Sequence, residues 1–126
     1  MVLTLARDKS GKCVGLRLPA TSADIGAVYA KLDAISTDER KTYILRADTG
    51  IGSLDRWLRD WKMDGFGDYT ELGELSEKID RMDDQARKTF DGALTGSARE
   101  RVTDLLRIAD SLDDYIGIVL LIILAV

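Results

Sequence analysis

Histidine is absent from this chain. Its absence removes the commonest general base, the Ser-His-Asp and Cys-His nucleophile systems, and most zinc sites. The single cysteine, Cys13, excludes a disulfide framework and reads as a small core residue. No glycine pattern resembles a phosphate loop or a dinucleotide fingerprint. Carboxylate-only catalysis survives these exclusions. The carboxylates, however, fall in runs at helical spacing, and the ordinary role of such runs is a solvated helix face. The chain therefore reads as a non-enzyme with no metal and no cofactor. The first twelve residues are strand-like and carry Arg7, Asp8, Lys9 and Lys12, so they do not read as a signal peptide, and a cytoplasmic location is the default expectation.

What is present is a core-forming composition with a lopsided charge. A chain of 126 residues, 45% hydrophobic and 32% charged, can bury a core as one domain or two small lobes. Residues 63–126 hold 14 Asp/Glu against 7 Lys/Arg, a balance of −7, and residues 1–62 hold 8 against 11, a balance of +3; together they give the net −4. The acid is densest from Asp64 to Asp84, where Asp64, Asp68, Glu71, Glu74, Glu77, Asp80, Asp83 and Asp84 face only Lys78 and Arg81. Such a surface repels nucleic acid and attracts proteins that bind nucleic acid.

Residues 2–18 read as a β-hairpin. Val2, Thr4 and Ala6 alternate, Asp8-Lys9-Ser10-Gly11 turns the chain, and Val14, Leu16 and Leu18 alternate on the return. Pro19, the one proline, closes the second strand. Thr21 then starts a helix with Asp24 as its capping-box partner, and Ile25, Val28, Leu32 and Ile35 form the apolar stripe with Tyr29 beside it. Tyr43, Leu45 and Ala47 suggest a third strand. This gives a lobe over 1–50, a small antiparallel sheet with one covering helix.

A connector over 51–68 follows, bracketed by Gly50, Gly52, Gly65 and Gly67 around a short helix at Ser53–Lys62. Leu54, Trp57, Leu58 and Trp61 share one face of it. The tryptophans could stack on nucleic-acid bases beside Arg56, Arg59 and Lys62. Their place on the Leu54/Leu58 face favours anchoring to the core instead.

Residues 69–126 read as a helical acidic lobe with a terminal strand. Asp68 caps its first helix, with Glu71 at the third position. Tyr69, Leu72, Leu75, Ile79 and Met82 recur every three or four residues. A second helix carries Ala86, Phe90, Ala93 and Leu94 and ends near Gly96. A third opens with the capping box Ser97-Ala98-Arg99-Glu100 and bears Val102, Leu105, Leu106, Ala109 and Leu112. After a turn at Asp113-Asp114 the chain ends in Ile116–Val126, which has no polar side chain. Eleven residues fall well short of the roughly 20 that cross a bilayer as a helix. The run reads as a buried strand, pairing within the chain or in a homodimer.

On a helical wheel of residues 69–84 the apolar stripe takes one side. Glu74, Glu77, Asp80 and Asp84 take the other, over roughly 120°. Carboxylates three or four residues apart lie about 4.5–6 Å apart along the axis. That is on the scale of the phosphate charges of DNA, one per roughly 1.7 Å of axis with both strands counted. A row of this kind can occupy a groove built for a phosphate backbone.

The stretch Tyr69–Asp84, opening with Tyr69, Leu72 and Leu75 and continuing to Phe90-Asp91-Gly92-Ala93-Leu94, resembles the central helical region of ArdA-type antirestriction proteins. Leu16-Arg17-Leu18-Pro19-Ala20-Thr21 resembles their strand-to-helix junction, and Leu105–Leu112 is similar to the leucine-rich helix that follows. The matched pieces cover about half the chain. The resemblance implies a DNA-mimic inhibitor, from a phage or other mobile element, that occupies the DNA path of a type I restriction–modification enzyme in the host cytoplasm. On that reading Glu71, Glu74, Glu77, Asp80, Asp83 and Asp84 stand in for phosphates, helped by Asp64 and Asp68. A CRISPR nuclease complex also holds nucleic acid in a positive channel, so the same row would serve as an anti-CRISPR device. A different class is a protein–protein adaptor or antitoxin, whose contacts would be the apolar tail and the tryptophan segment. Direct nucleic-acid binding and membrane attachment are not expected, because the acidic half repels phosphate and anionic lipid.

Overall fold

A computed structural model describes residues 1–36, 42–63, 67–95 and 101–112. The architecture is α+β. Three antiparallel strands, β1 (Val2–Ala6), β2 (Val14–Arg17) and β3 (Tyr43–Asp48), stand in the order β2-β1-β3. Helix α1 (Ser22–Ile35) crosses from β2 to β3, and α2 (Gly52–Asp60), α3 (Gly67–Asp80), α4 (Asp84–Thr95) and α5 (Val102–Asp110) follow. Residues 113–126, with the expected turn and terminal strand, lie outside the described residues. So do Asp64 and the expected capping box at 97–100. No helix among the described residues is long and apolar enough to cross a membrane.

The hairpin turn follows from Asp8 and Gly11. The Asp8 carboxylate accepts from the Ser10 N–H and hydroxyl and, across to the end of α1, from the Ser36 hydroxyl at 2.7 Å. These bonds, Ser10 first and Ser36 second, lower the Asp8 pKa to about 2. Gly11 takes φ +88°, a conformation that L side chains rarely adopt. Cys13 belongs to this return and is exposed, not a core residue as its type suggested, because it precedes β2 instead of lying within it.

On β1 Leu3, Leu5 and Ala6 are buried, while Val2 and Thr4 are half-buried. Leu16 and Ala47, the partners of Leu3, and Ile44, a partner of Leu5, are buried with them. The expected alternation Tyr43, Leu45, Ala47 does not hold. Thr4 pairs with Arg46 and Leu5 pairs with Ile44, so Leu45 is an extra residue in a β-bulge. The bulge re-phases the strand, buries Ile44 and leaves Leu45 40% exposed.

Helix α1 starts as its sequence dictates. Thr21 Oγ1 accepts from the Asp24 N–H and the Asp24 carboxylate accepts from the Thr21 N–H, both at 3.1 Å. Such a cap contributes roughly 1 kcal/mol. Ile25, Val28 and Leu32 face the core.

One cluster of buried side chains runs from Leu3 through Leu32, Ile44, Leu54, Leu58, Tyr69, Leu72, Leu75 and Phe90 to Leu105 and Ile108. The sheet, α1 and the four later helices therefore share one core. Helix α2 packs against β3 and α4, and α3 packs against α5. The start of α2 is capped across space: the Asp91 carboxylate of α4 accepts from the Ser53 N–H at 3.0 Å, and Ser53 Oγ donates to the Asp91 carbonyl at 3.1 Å. Hydrogen bonding from Ser53 holds the Asp91 carboxyl below the usual aspartate range.

Candidate functional site

Helix α3 positions the acidic face by burying the opposite side. Tyr69, Leu72, Leu75 and Ile79 enter the core as their spacing requires. Gly73 and Ser76 are buried too, which the apolar pattern alone did not show. At Gly73 an added Cβ would lie 3.5 Å from the Pro19 side chain, so the helix backbone passes close to the strand end. Ser76 Oγ donates to the Leu18 carbonyl at 2.9 Å and accepts from the Met1 amino group at 3.3 Å. Tyr69 hydrogen-bonds through its hydroxyl to Tyr29 of α1 at 2.8 Å, with the rings edge to face. Burial, and then that bond, push the Tyr69 hydroxyl well above its ordinary pKa. Four contacts with the sheet lobe thus fix the rotation of α3.

The exposed carboxylates of α3 are Glu74, Glu77 and Asp80, with Gly67 and Thr70 exposed as well. The 69–84 stretch is not one helix. It ends at Asp80, closed by N–H bonds from Arg81 to Lys78 O and from Met82 to Ile79 O. Asp84 therefore belongs to the first turn of α4, where it is exposed. Asp83 between them is exposed but occupied, because its carboxylate accepts from the Ala86 N–H at 2.8 Å and caps α4. Asp68 is not the residue before the helix. The helix begins at Gly67, which places Asp68 in the first turn, half-buried. Glu71 is half-buried as well.

Two of the cations near the row have partners. Lys78 pairs with Asp110 of α5, and Arg87 donates to the Ile79 carbonyl at the end of α3. Arg81 and Lys88 are exposed and make no ion pair among the described residues.

Most other described carboxylates have local work. Asp24, Asp83, Asp91 and Asp104 accept from backbone N–H groups at helix starts, Asp55 accepts from Thr49, and Asp33 pairs with Arg7. The ones with no hydrogen bond or ion pair among the described residues are Asp48 and, together, Glu71, Glu74, Glu77, Asp80 and Asp84. Asp80 also ends α3, where the helix dipole disfavours negative charge. No group of three or more acidic or cysteine ligands among the described residues is arranged to hold a metal.

The tryptophan segment behaves as an anchor. Trp57 and Trp61 stack on each other with centroids 5.2 Å apart and planes 22° apart, half-buried against the core that holds Leu54 and Leu58. Comparison with family models, curated proteins and solved structures gives no match.

Proposed function

We propose that this protein is a non-catalytic inhibitor whose α3–α4 face stands in for the phosphate backbone of DNA in a host DNA-targeting enzyme, a type I restriction–modification complex first of all. The observation that carries the reading is the concentration of carboxylates without a partner among the described residues: Glu71, Glu74, Glu77 and Asp80 on α3, whose rotation the sheet lobe fixes, and Asp84 at the start of α4. Acid that only kept the chain dispersed would need neither a fixed rotation nor a cluster. Acid that only capped helices would be occupied, as Asp83 and Asp91 are. The resemblance of Tyr69–Asp84 to ArdA-type proteins supports the same target class. A CRISPR effector would be blocked by the same physics.

The test is competition. Purified restriction enzyme is given labelled duplex DNA and increasing amounts of this protein. Mutually exclusive binding, weakening steeply with added salt, is expected, because both ligands would use the same cationic groove. A ternary complex with DNA still in place, or binding indifferent to salt, would overturn the proposal and favour the adaptor or antitoxin class.

A further inference from the structure

The basic half of the chain builds a feature that acidic mimicry does not use. An open cleft of about 810 Å³ lies between β3 and α2, with Thr4 of β1 also lining it. Arg46 enters it from β3, and Arg56 and Arg59 from α2. Arg56 and Arg59 are three residues apart on a helix and so share a face. Arg46 and Arg56 make no hydrogen bond or ion pair among the described residues, and Arg59 has only a loose 4.0 Å contact with Asp60. Two acids line the cleft. The Asp55 carboxylate is already taken by the Thr49 N–H and hydroxyl at 2.9 and 2.6 Å, and Asp48 is exposed. Three permanently charged guanidinium groups against the two carboxylates of Asp48 and Asp55 leave the cleft net positive, which favours an entering anion.

Two further observations narrow the anion. The volume falls within the roughly 300–1,000 Å³ typical of small-molecule sites. Leu45, pushed out by the bulge and the exposed large hydrophobic residue of this surface, lines the same cleft and offers an apolar platform beside the cations. Guanidinium forks match phosphoryl oxygens bidentately, and an apolar platform suits a ring next to them.

We infer that this cleft binds a phosphoryl-bearing small molecule, with Arg46, Arg56 and Arg59 on the phosphoryl oxygens and Leu45 under an attached ring such as a nucleobase. The proposal is independent of the acidic face. Its test is calorimetric titration of the full chain with ATP, inorganic triphosphate, adenosine and polyglutamate in separate runs. ATP is expected to bind at one site, with Arg46→Gln and Arg56→Gln each weakening it by at least about tenfold and Glu77→Lys leaving it unchanged. Both arginines are exposed, so unfolding midpoints should stay near wild type, which keeps a loss of binding interpretable. Triphosphate binding as tightly as ATP would support phosphoryl recognition with no role for the ring, and tighter ATP binding would support a nucleotide. Silence with both phosphates, indifference to the arginine changes, or tighter binding of polyglutamate would overturn the proposal, the last by making the cleft a dock for an acidic protein segment.

Discussion

Reversing the charge of Glu74, Glu77, Asp80 and Asp84 to lysine should abolish inhibition and leave the fold standing. The stability side is small. All four residues are exposed and have no hydrogen bond or ion pair among the described residues, and substitutions at such positions usually shift stability by no more than about 0.5 kcal/mol each. Two dipole effects oppose one another. Lysine at 80 suits the C-terminal end of α3 and lysine at 84 offends the first turn of α4, each by about 0.3–1 kcal/mol. The binding side is large. A carboxylate about 4 Å from a groove cation gains about 1 kcal/mol even at the dielectric of water. Reversal turns each attraction into a similar repulsion, so four sites change by about 8 kcal/mol in sum. Flexible lysines will swing away and recover much of this. A quarter of it, about 2 kcal/mol, still weakens binding more than tenfold. Circular dichroism should give an unchanged helical spectrum, and a DNA-cleavage assay with a type I restriction enzyme should show restored cutting. A folded variant that inhibits with wild-type affinity would reduce the acidic face to solvated surface and refute the reasoning.

Ser76→Ala should cost about 1–3 kcal/mol, because it removes a fully buried hydroxyl and leaves the Leu18 carbonyl without that donor; thermal unfolding measures it, and an equally stable variant would show that the bond contributes nothing. Arg81→Glu should strengthen inhibition, since it replaces an exposed cation beside the row with no ion pair among the described residues, and a weaker inhibitor would contradict that view of Arg81. Asp8→Asn should be destabilising at neutral pH and lose that effect in acid. The folded pKa of about 2 lies below the ordinary 3.8, so the charged form adds stability above about pH 4 and loses it as pH falls towards 2; parallel melts of both proteins across that range decide it. The wild type should shift no duplex DNA in a gel at physiological salt, and a tight complex there would sink the like-charge expectation.

The parts of the fold set by local chemistry were legible in the sequence. Thr21 and Asp24 announce the start of α1, and the three- and four-residue recurrence of Tyr69, Leu72, Leu75 and Ile79 announces the inner face of α3. Several of the failures share a cause, which is contact between distant residues. The bulge at Leu45 depends on pairing with β1, and no pattern within 43–48 encodes it. Gly73 and Ser76 are buried by Pro19 and Leu18, more than fifty residues away, so a wheel of α3 alone places them too near solvent. The outward carboxylates were identified by the same wheel. Of the two interrupting cations the sequence names, Arg81 is exposed without an ion pair among the described residues, while Lys78 finds Asp110 once the helices pack. Asp83 was counted with the row, and only the break after Asp80 turns it into a cap.

The bulge has a consequence for how this protein tolerates crowding by its own copies. Among the described residues β2 and β3 are the outer strands of the sheet, and an outer strand that runs long and flat is a template for another chain. Here β2 is four residues long, carries Arg17 and is followed at once by Leu18-Pro19. β3 is longer, and there the extra Leu45 bends the ladder and sets Arg46 outward beside it. A chain lacking Leu45 would regain regular pairing and a straight margin. It would keep its core residues Ile44 and Ala47 yet lose the kink that keeps a neighbouring strand from adding on.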